Sequence, residues 1–133
     1  MAALPYGPLV LDHYRHPRNV GSFEASDADV GSALVGSPAL GEVLKLQIRI
    51  HDEHITDARF RAFGGGSTIA VGSWLTQRLS GCSLEAALAL QSGDVTTALA
   101  LPAVKMHSAL LAVDAVHAAV ADYTTRHPQS SPQ

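Results

Sequence analysis

The stretch Phe63-Gly64-Gly65-Gly66-Ser67-Thr68-Ile69-Ala70 decides the fold. Before its three glycines the apolar residues recur with the period of a strand; after them they recur with the period of a helix. Glycine has no side chain and tolerates positive φ, so such a break also lets backbone come close to a neighbour. Upstream, Leu44, Leu46, Ile48 and Ile50 alternate with Lys45, Gln47 and Arg49, which predicts a half-buried strand over Glu42 to Ile50. His51-Asp52-Glu53-His54 reads as a turn, and Ile55 to Phe63 returns as a partner strand. Ser32 to Val35, between Gly31 and Gly36, reads as a shorter strand of the same antiparallel meander.

Downstream, Val71, Trp74, Leu75 and Leu79 fall on one helical face, with Ser67 or Thr68 as the natural N-cap and Gly81 as the stop. Ser83 caps a helix running to Leu90, Gly93-Asp94 opens a short helical piece, and Pro102 breaks it. A last helix runs from about Met106 to Tyr123, with Val113, Val116, Val120 and Tyr123 on one side. At the front, Pro8 to Arg15 reads as a helix that Pro17 closes, followed by a polar loop from Arg18 to Val30. Strands first and helices after predict an α+β domain: an antiparallel three-stranded sheet with helices packed on one face. Residues 1–126 read as one domain, and the proline- and serine-rich residues 127–133 as a disordered tail.

The chain has 133 residues, 47% of them hydrophobic, enough for one core. Nine basic against twelve acidic residues leave a formal net charge of −3, which argues against a nucleic-acid or anionic-membrane surface. One cysteine cannot form an internal disulfide, no basic n-region opens the chain, and no uninterrupted apolar run reaches roughly 18 residues. The expected setting is cytoplasmic.

Longer stretches carry a resemblance. Asp12-His13-Tyr14 with Pro17-Arg18-Asn19-Val20-Gly21-Ser22-Phe23, then Val35-Gly36-Ser37-Pro38-Ala39 and Lys45-Leu46-Gln47-Ile48, resemble the iron–sulfur cluster scaffold family, the IscU proteins and the N-terminal domain of NifU. Leu101-Pro102-Ala103-Val104-Lys105 is similar to the segment that family offers to an Hsp70-type chaperone. The resemblance runs from Tyr6 to Arg126 and implies that fold, a role in cluster assembly, and a cysteine desulfurase and a chaperone as partners.

The resemblance also implies a site. The family uses three cysteines, an aspartate and a histidine; its cysteine positions match Leu40, Gly65 and Ser108, its aspartate matches Glu42, and its histidine matches His107. Thiolates suit iron–sulfur clusters because they are soft and anionic. Leucine ligates nothing, glycine offers only backbone, and neutral serine is a poor iron ligand. The expectation is a scaffold-family chain that assembles no conventional [2Fe–2S] cluster and holds no firm cofactor. It would serve as an accessory, regulatory or partner-binding member, docking the desulfurase, the chaperone or a cysteine-bearing paralogue.

Other residues carry alternatives. Glu42 and His107 could form a weak Fe(II) or Zn(II) site completed by water or Ser108, against the plainer reading of a salt bridge. Gly64-Gly65-Gly66 could bind an anion at a helix start, against the plainer reading of a tight turn. Cys82 at a helix start could be redox-active, against a small half-buried side chain. The pairs His13/His16 and His51/His54 could bind metal, against ordinary surface histidines. Lys105 could contact a partner, against a solvated side chain. No nucleophile–base pair is visible: Ser108 and His107 are adjacent on a helix and point apart, so an enzyme is not expected.

Overall fold

The computed structural model describes residues 7–127. Its element order is α1 (Pro8–Arg15), β1 (Val30–Ser37), a 3₁₀ turn (Pro38–Leu40), β2 (Glu42–His51), β3 (His54–Phe63), α2 (Gly66–Leu79), α3 (Leu84–Leu88), α4 (Ser92–Leu99), a second 3₁₀ turn (Ala103–Lys105) and α5 (Met106–Arg126). The strands form one antiparallel sheet in the order β1-β2-β3. This is the α+β arrangement that the switch of period predicts.

The alternation in β2 sets the two faces. Leu44, Leu46, Ile48 and Ile50 are fully buried beneath the helices, paired across to Ala33 and Val35 on one side and Ala58, Phe60 and Ala62 on the other. Against them α2 presents Val71, Leu75 and Leu79, and α5 presents Ala109, Ala112, Ala115, Val116, Ala119 and Val120. Each buried Leu or Ile contributes about 1.5–3 kcal/mol. Small residues set how closely the helices lie. A Cβ on Gly72 would sit 2.4 Å from the Phe60 ring, and one on Gly31 would sit 2.3 Å from the Ala119 carbonyl oxygen. These two glycines let α2 and α5 press onto β3 and β1.

The loop between α1 and β1 covers part of the other face. Phe23 N–H donates to Gln47 Oε1 (2.7 Å), and the Phe23 ring lies between the guanidinium groups of Arg49 and Arg59, 4.7 and 5.2 Å from its centroid. Gln47, expected among solvent-facing residues, is therefore buried and also donates to Ser32 Oγ (3.0 Å).

Several expectations change. β1 extends two residues beyond Ser32–Val35 at each end, because all of Val30–Ser37 pairs with β2. The helix after Ser83 stops at Leu88, although Ser83 caps it as expected by accepting from Ala86 N–H (3.0 Å). Neither Ser67 nor Thr68 caps α2. Gly65 holds the N-cap position, and both hydroxyls sit inside the first turn, spent on other partners. Residues 103–126 are long and apolar enough to cross a membrane by length and composition, at mean hydropathy 1.2. Their buried face packs on the sheet, as expected of a core helix. Of the proposed tail, His127 is held against α5, its ring stacked on Tyr123 and its Nδ1 2.8 Å from the Tyr123 carbonyl, and residues 128–133 lie outside the described residues.

Candidate functional site

Glu42 opens β2, directly after the turn that carries Leu40. Its carboxylate lies where α2 and α5 begin. Neither helix has an acidic residue in its own first turn or a side-chain cap. A carboxylate shared by two helix N-termini is favoured by both dipoles. Thr68 Oγ1, in the first turn of α2, donates to Glu42 Oε1. Ser108 Oγ, in the first turn of α5, donates to the same oxygen at 3.2 Å. His107 Nε2 lies 2.6 Å from Glu42 Oε2. Ser67 Oγ and Ser108 Oγ are 3.0 Å apart and close the ring.

Thus the stretches that lead into β2, α2 and α5 meet at one place, where Glu42 and His107 lie in direct contact. The Glu42 side chain is 17% exposed and that of His107 50%. Ser67, Thr68 and Ser108 are buried. Ser108 turns to Glu42 and Ser67, so the geometry supports no Ser108–His107 dyad. Gly65 faces open space: a Cβ there would meet nothing within 4 Å. The backbone of α2 that could receive an anion already has a carboxylate beside it, which opposes a second negative charge.

The donor set is one carboxylate, one imidazole and three hydroxyls. It contains no thiol, so it does not fit an iron–sulfur cluster. Among the described residues, no three or more His, Cys, Asp or Glu side chains are grouped to hold a metal ion. Cys82 sits between α2 and α3, its carbonyl accepting from Ile55 N–H (2.8 Å). Ile55 pairs with Ile50, eight residues along β2 from Glu42, which puts Cys82 roughly 25 Å from the cluster. Among the described residues its sulfur accepts from Arg78 Nη1, at 3.8 Å.

Within the two histidine pairs, His13 and His54 have other partners. His13 is buried, not a surface residue, and its Nδ1 pairs with Ser73 Oγ at 2.7 Å. Ser73 Oγ also accepts from Arg18 N–H (2.9 Å), which ties α1 and the following loop to α2. His51 and His54 are exposed across the β2–β3 turn; His54 Nδ1 is engaged by the Asp52 carbonyl at 2.8 Å.

In the segment before α5, Leu101 packs partly against the core, while Ala103 and Val104 are exposed. Val104 is 75% exposed, and Lys105 is half-buried.

Sequence reasoning missed one surface. On the outer sheet face, beyond the reach of the Phe23 loop, Leu34 is 71% and Phe63 76% exposed, with Val43 paired to Phe63 between them. Lys45 and Arg61 pair across the strands beside them. The signal was present: alternation puts Val43 and Phe63 on the face opposite Leu44 and Ala62. A second feature is an open groove with about 390 Å³ of empty space between the end of β1 (Gly36, Ser37) and α5 (Leu110, Leu111, Asp114), with Glu42 and His107 at one end.

The comparisons agree with this fold. The family model described as NifU-like N terminal domain matches residues 5–130. The iron–sulfur cluster assembly scaffold protein IscU of Escherichia coli K12 is 49% identical over 124 residues, covering 92% of this chain and 97% of that protein. The mitochondrial iron sulfur cluster assembly protein 2 of Saccharomyces cerevisiae is 45% identical over 127 residues, covering 94% and 81%. Two solved structures share the fold. One is a putative iron–sulfur cluster assembly scaffold protein for the SUF system from Fervidobacterium islandicum (TM-score 0.67, 11% identity, 86% of this chain and 96% of that one). The other is the N-terminal part of a NifU-like protein from Brucella abortus (TM-score 0.61, 17% identity, 94% and 95%). With the family model matched along nearly its whole length and a relative half identical to it, this chain belongs to the NifU-like N-terminal domain family of iron–sulfur cluster assembly scaffolds.

Proposed function

We propose that this chain is an accessory, partner-binding member of its family that assembles no conventional [2Fe–2S] cluster. The observation that carries the reading is the state of Glu42. Its carboxylate is already engaged by His107, Thr68 and Ser108, in a ring of donors without a thiol. A cluster needs thiolates at that place, and the one cysteine lies at the opposite end of the sheet.

What remains is suited to contact. The segment Leu101 to Lys105 precedes α5 with Val104 outward, and Leu34, Val43 and Phe63 form an apolar patch on the sheet. Patches of this kind mark interaction sites. The partners proposed are a cysteine desulfurase, an Hsp70-type chaperone and a cysteine-bearing scaffold paralogue, in the cytoplasm. Pull-down of each with the purified chain tests this. Capture of at least one, lost in Phe63→Ser or Val104→Asp, is expected; capture of none overturns it.

A second reading has one observation in its favour: Glu42 and His107 place a carboxylate oxygen and a ring nitrogen together, as an Fe(II) or Zn(II) ion would require. Metal analysis of the purified chain beside Glu42→Ala and His107→Ala separates the two. Metal content equal in all three removes this second reading.

A further inference from the structure

The two edges of the sheet differ. The β3 edge is covered at Ile55 and Phe60: Phe60 N–H donates to the Asn19 carbonyl, Gly21 N–H to the Phe60 carbonyl, and Gly81 N–H to the Ile55 carbonyl. At the β1 edge Val30 N–H is taken by the Asp27 carbonyl at 3.2 Å and Ser32 N–H by Asp122 Oδ2 at 2.9 Å. Alternation brings Leu34 and Gly36 out on the same edge, and no other described group bonds their backbone there. β1 contains no charged residue and no proline over its eight residues, the devices that usually protect an edge.

The open groove lies beside the unprotected half of that edge. Leu110, half exposed, and Leu111 supply its apolar wall. Asp114 is exposed at its rim with no ion pair or hydrogen bond among the described residues. The groove thus combines free strand backbone, an apolar wall and an unneutralised carboxylate.

We propose that the β1 edge and this groove dock an extended segment of another protein, added as a fourth strand. Side chains two apart on a strand share a face. The segment therefore carries an apolar residue for Leu110 and Leu111 and, two positions away, a lysine or arginine for Asp114. Backbone pairing supplies affinity, and the two side chains supply choice. A second copy of β1 is a poorer occupant, because it brings no cation to Asp114. The proposal rests on the partner-binding reading above and names the chemistry of one contact.

The test uses the intact chain and three blocked peptides: Thr-Leu-Thr-Arg-Thr, its acidic twin Thr-Leu-Thr-Glu-Thr, and the respaced Thr-Leu-Arg-Thr-Thr. Amide shifts are followed by NMR up to about millimolar peptide. The first peptide is expected to shift Leu34, Gly36, Leu110, Leu111 and Asp114 saturably and to slow exchange at the Leu34 amide. The twin and the respaced peptide should bind at least about threefold more weakly, and Asp114→Asn should weaken the first by a similar factor. No saturable shift, equal binding of the acidic twin, or an unchanged Asp114→Asn overturns the proposal. So does peptide-free, concentration-dependent shifting at Leu34, which would mean self-pairing. Failure here with successful pull-downs would leave the partner-binding reading standing; peptide binding with failed pull-downs would do the reverse.

Discussion

Glu42 Oε2 and His107 Nε2 lie 2.6 Å apart and join the start of β2 to the first turn of α5. The two partners are not equal. His107 is half exposed and has this one polar partner among the described residues, so His107→Ala should cost at most about 1 kcal/mol. Glu42→Ala also strips Thr68 and the buried Ser108 of their acceptor, so it should cost about 1–3 kcal/mol. Urea unfolding of the two variants checks the order. A His107→Ala loss as large as that of Glu42→Ala would mean that the contact with His107, not the hydroxyls, holds the site.

Stability should also fall on mild acidification, through His13. Burial, and after it the Arg18 guanidinium, hold this imidazole below its ordinary value of 6.5, with Asp12 opposing them. A histidine lowered on folding stabilises the protein where the unfolded chain's histidine is neutral, above about pH 6.5. That contribution is lost as pH drops toward the folded value. Melting temperatures at about pH 7.5 and about pH 5.5 should therefore differ more for the wild type than for His13→Gln, which cannot titrate. Asp12, lowered mainly by its hydrogen bond to Arg18, acts in a separate, more acidic window. Equal pH dependence in both proteins would remove His13 from the account.

Two glycines should respond oppositely. Gly72 is inside α2, where alanine ordinarily gains about 1 kcal/mol. Here its Cβ would meet the Phe60 ring at 2.4 Å, so Gly72→Ala should lose about 1–3 kcal/mol by overpacking. Gly65, the N-cap of the same helix, has φ −75° and open space around a Cβ. Gly65→Ser should leave stability unchanged or raise it by a few tenths of a kcal/mol, since serine can cap. Denaturant midpoints of both variants decide the matter.

Most of the fold was legible because it depends on periods. Leu44 to Ile50 alternate, Val71 to Leu79 step around a helix, and three glycines separate them. What was not legible depends on groups far apart in the chain. His13 looked like a surface residue until Ser73, sixty positions away, supplied its partner. Ser67 and Thr68 have good N-cap chemistry, but Ser108 and Glu42 compete for their hydroxyls, and tertiary contact wins. Gln47 carries the polar half of an alternation, yet the Phe23 loop buries it. The site was half visible. The resemblance brought Glu42 and His107 forward, whereas the convergence of two helix starts on one carboxylate needed coordinates.

The proposed reading of the site predicts a gain of chemistry on supplying thiols. Leu40→Cys, Gly65→Cys and Ser108→Cys together would place thiols at the positions the resemblance assigns. Position 65 has room, and its backbone is one that any residue adopts. Position 108 is buried beside Glu42 and Ser67, where a thiol replaces a hydroxyl of similar shape at the loss of its hydrogen bonds, about 1 kcal/mol each. Anaerobic reconstitution with iron and sulfide should give the triple variant thiolate-to-iron charge-transfer bands and give the wild type none. Circular dichroism before reconstitution separates failure to fold from failure to bind. Bands of equal strength in the wild type would show that Glu42, His107 and the hydroxyls suffice, and the proposed accessory role would fall with them.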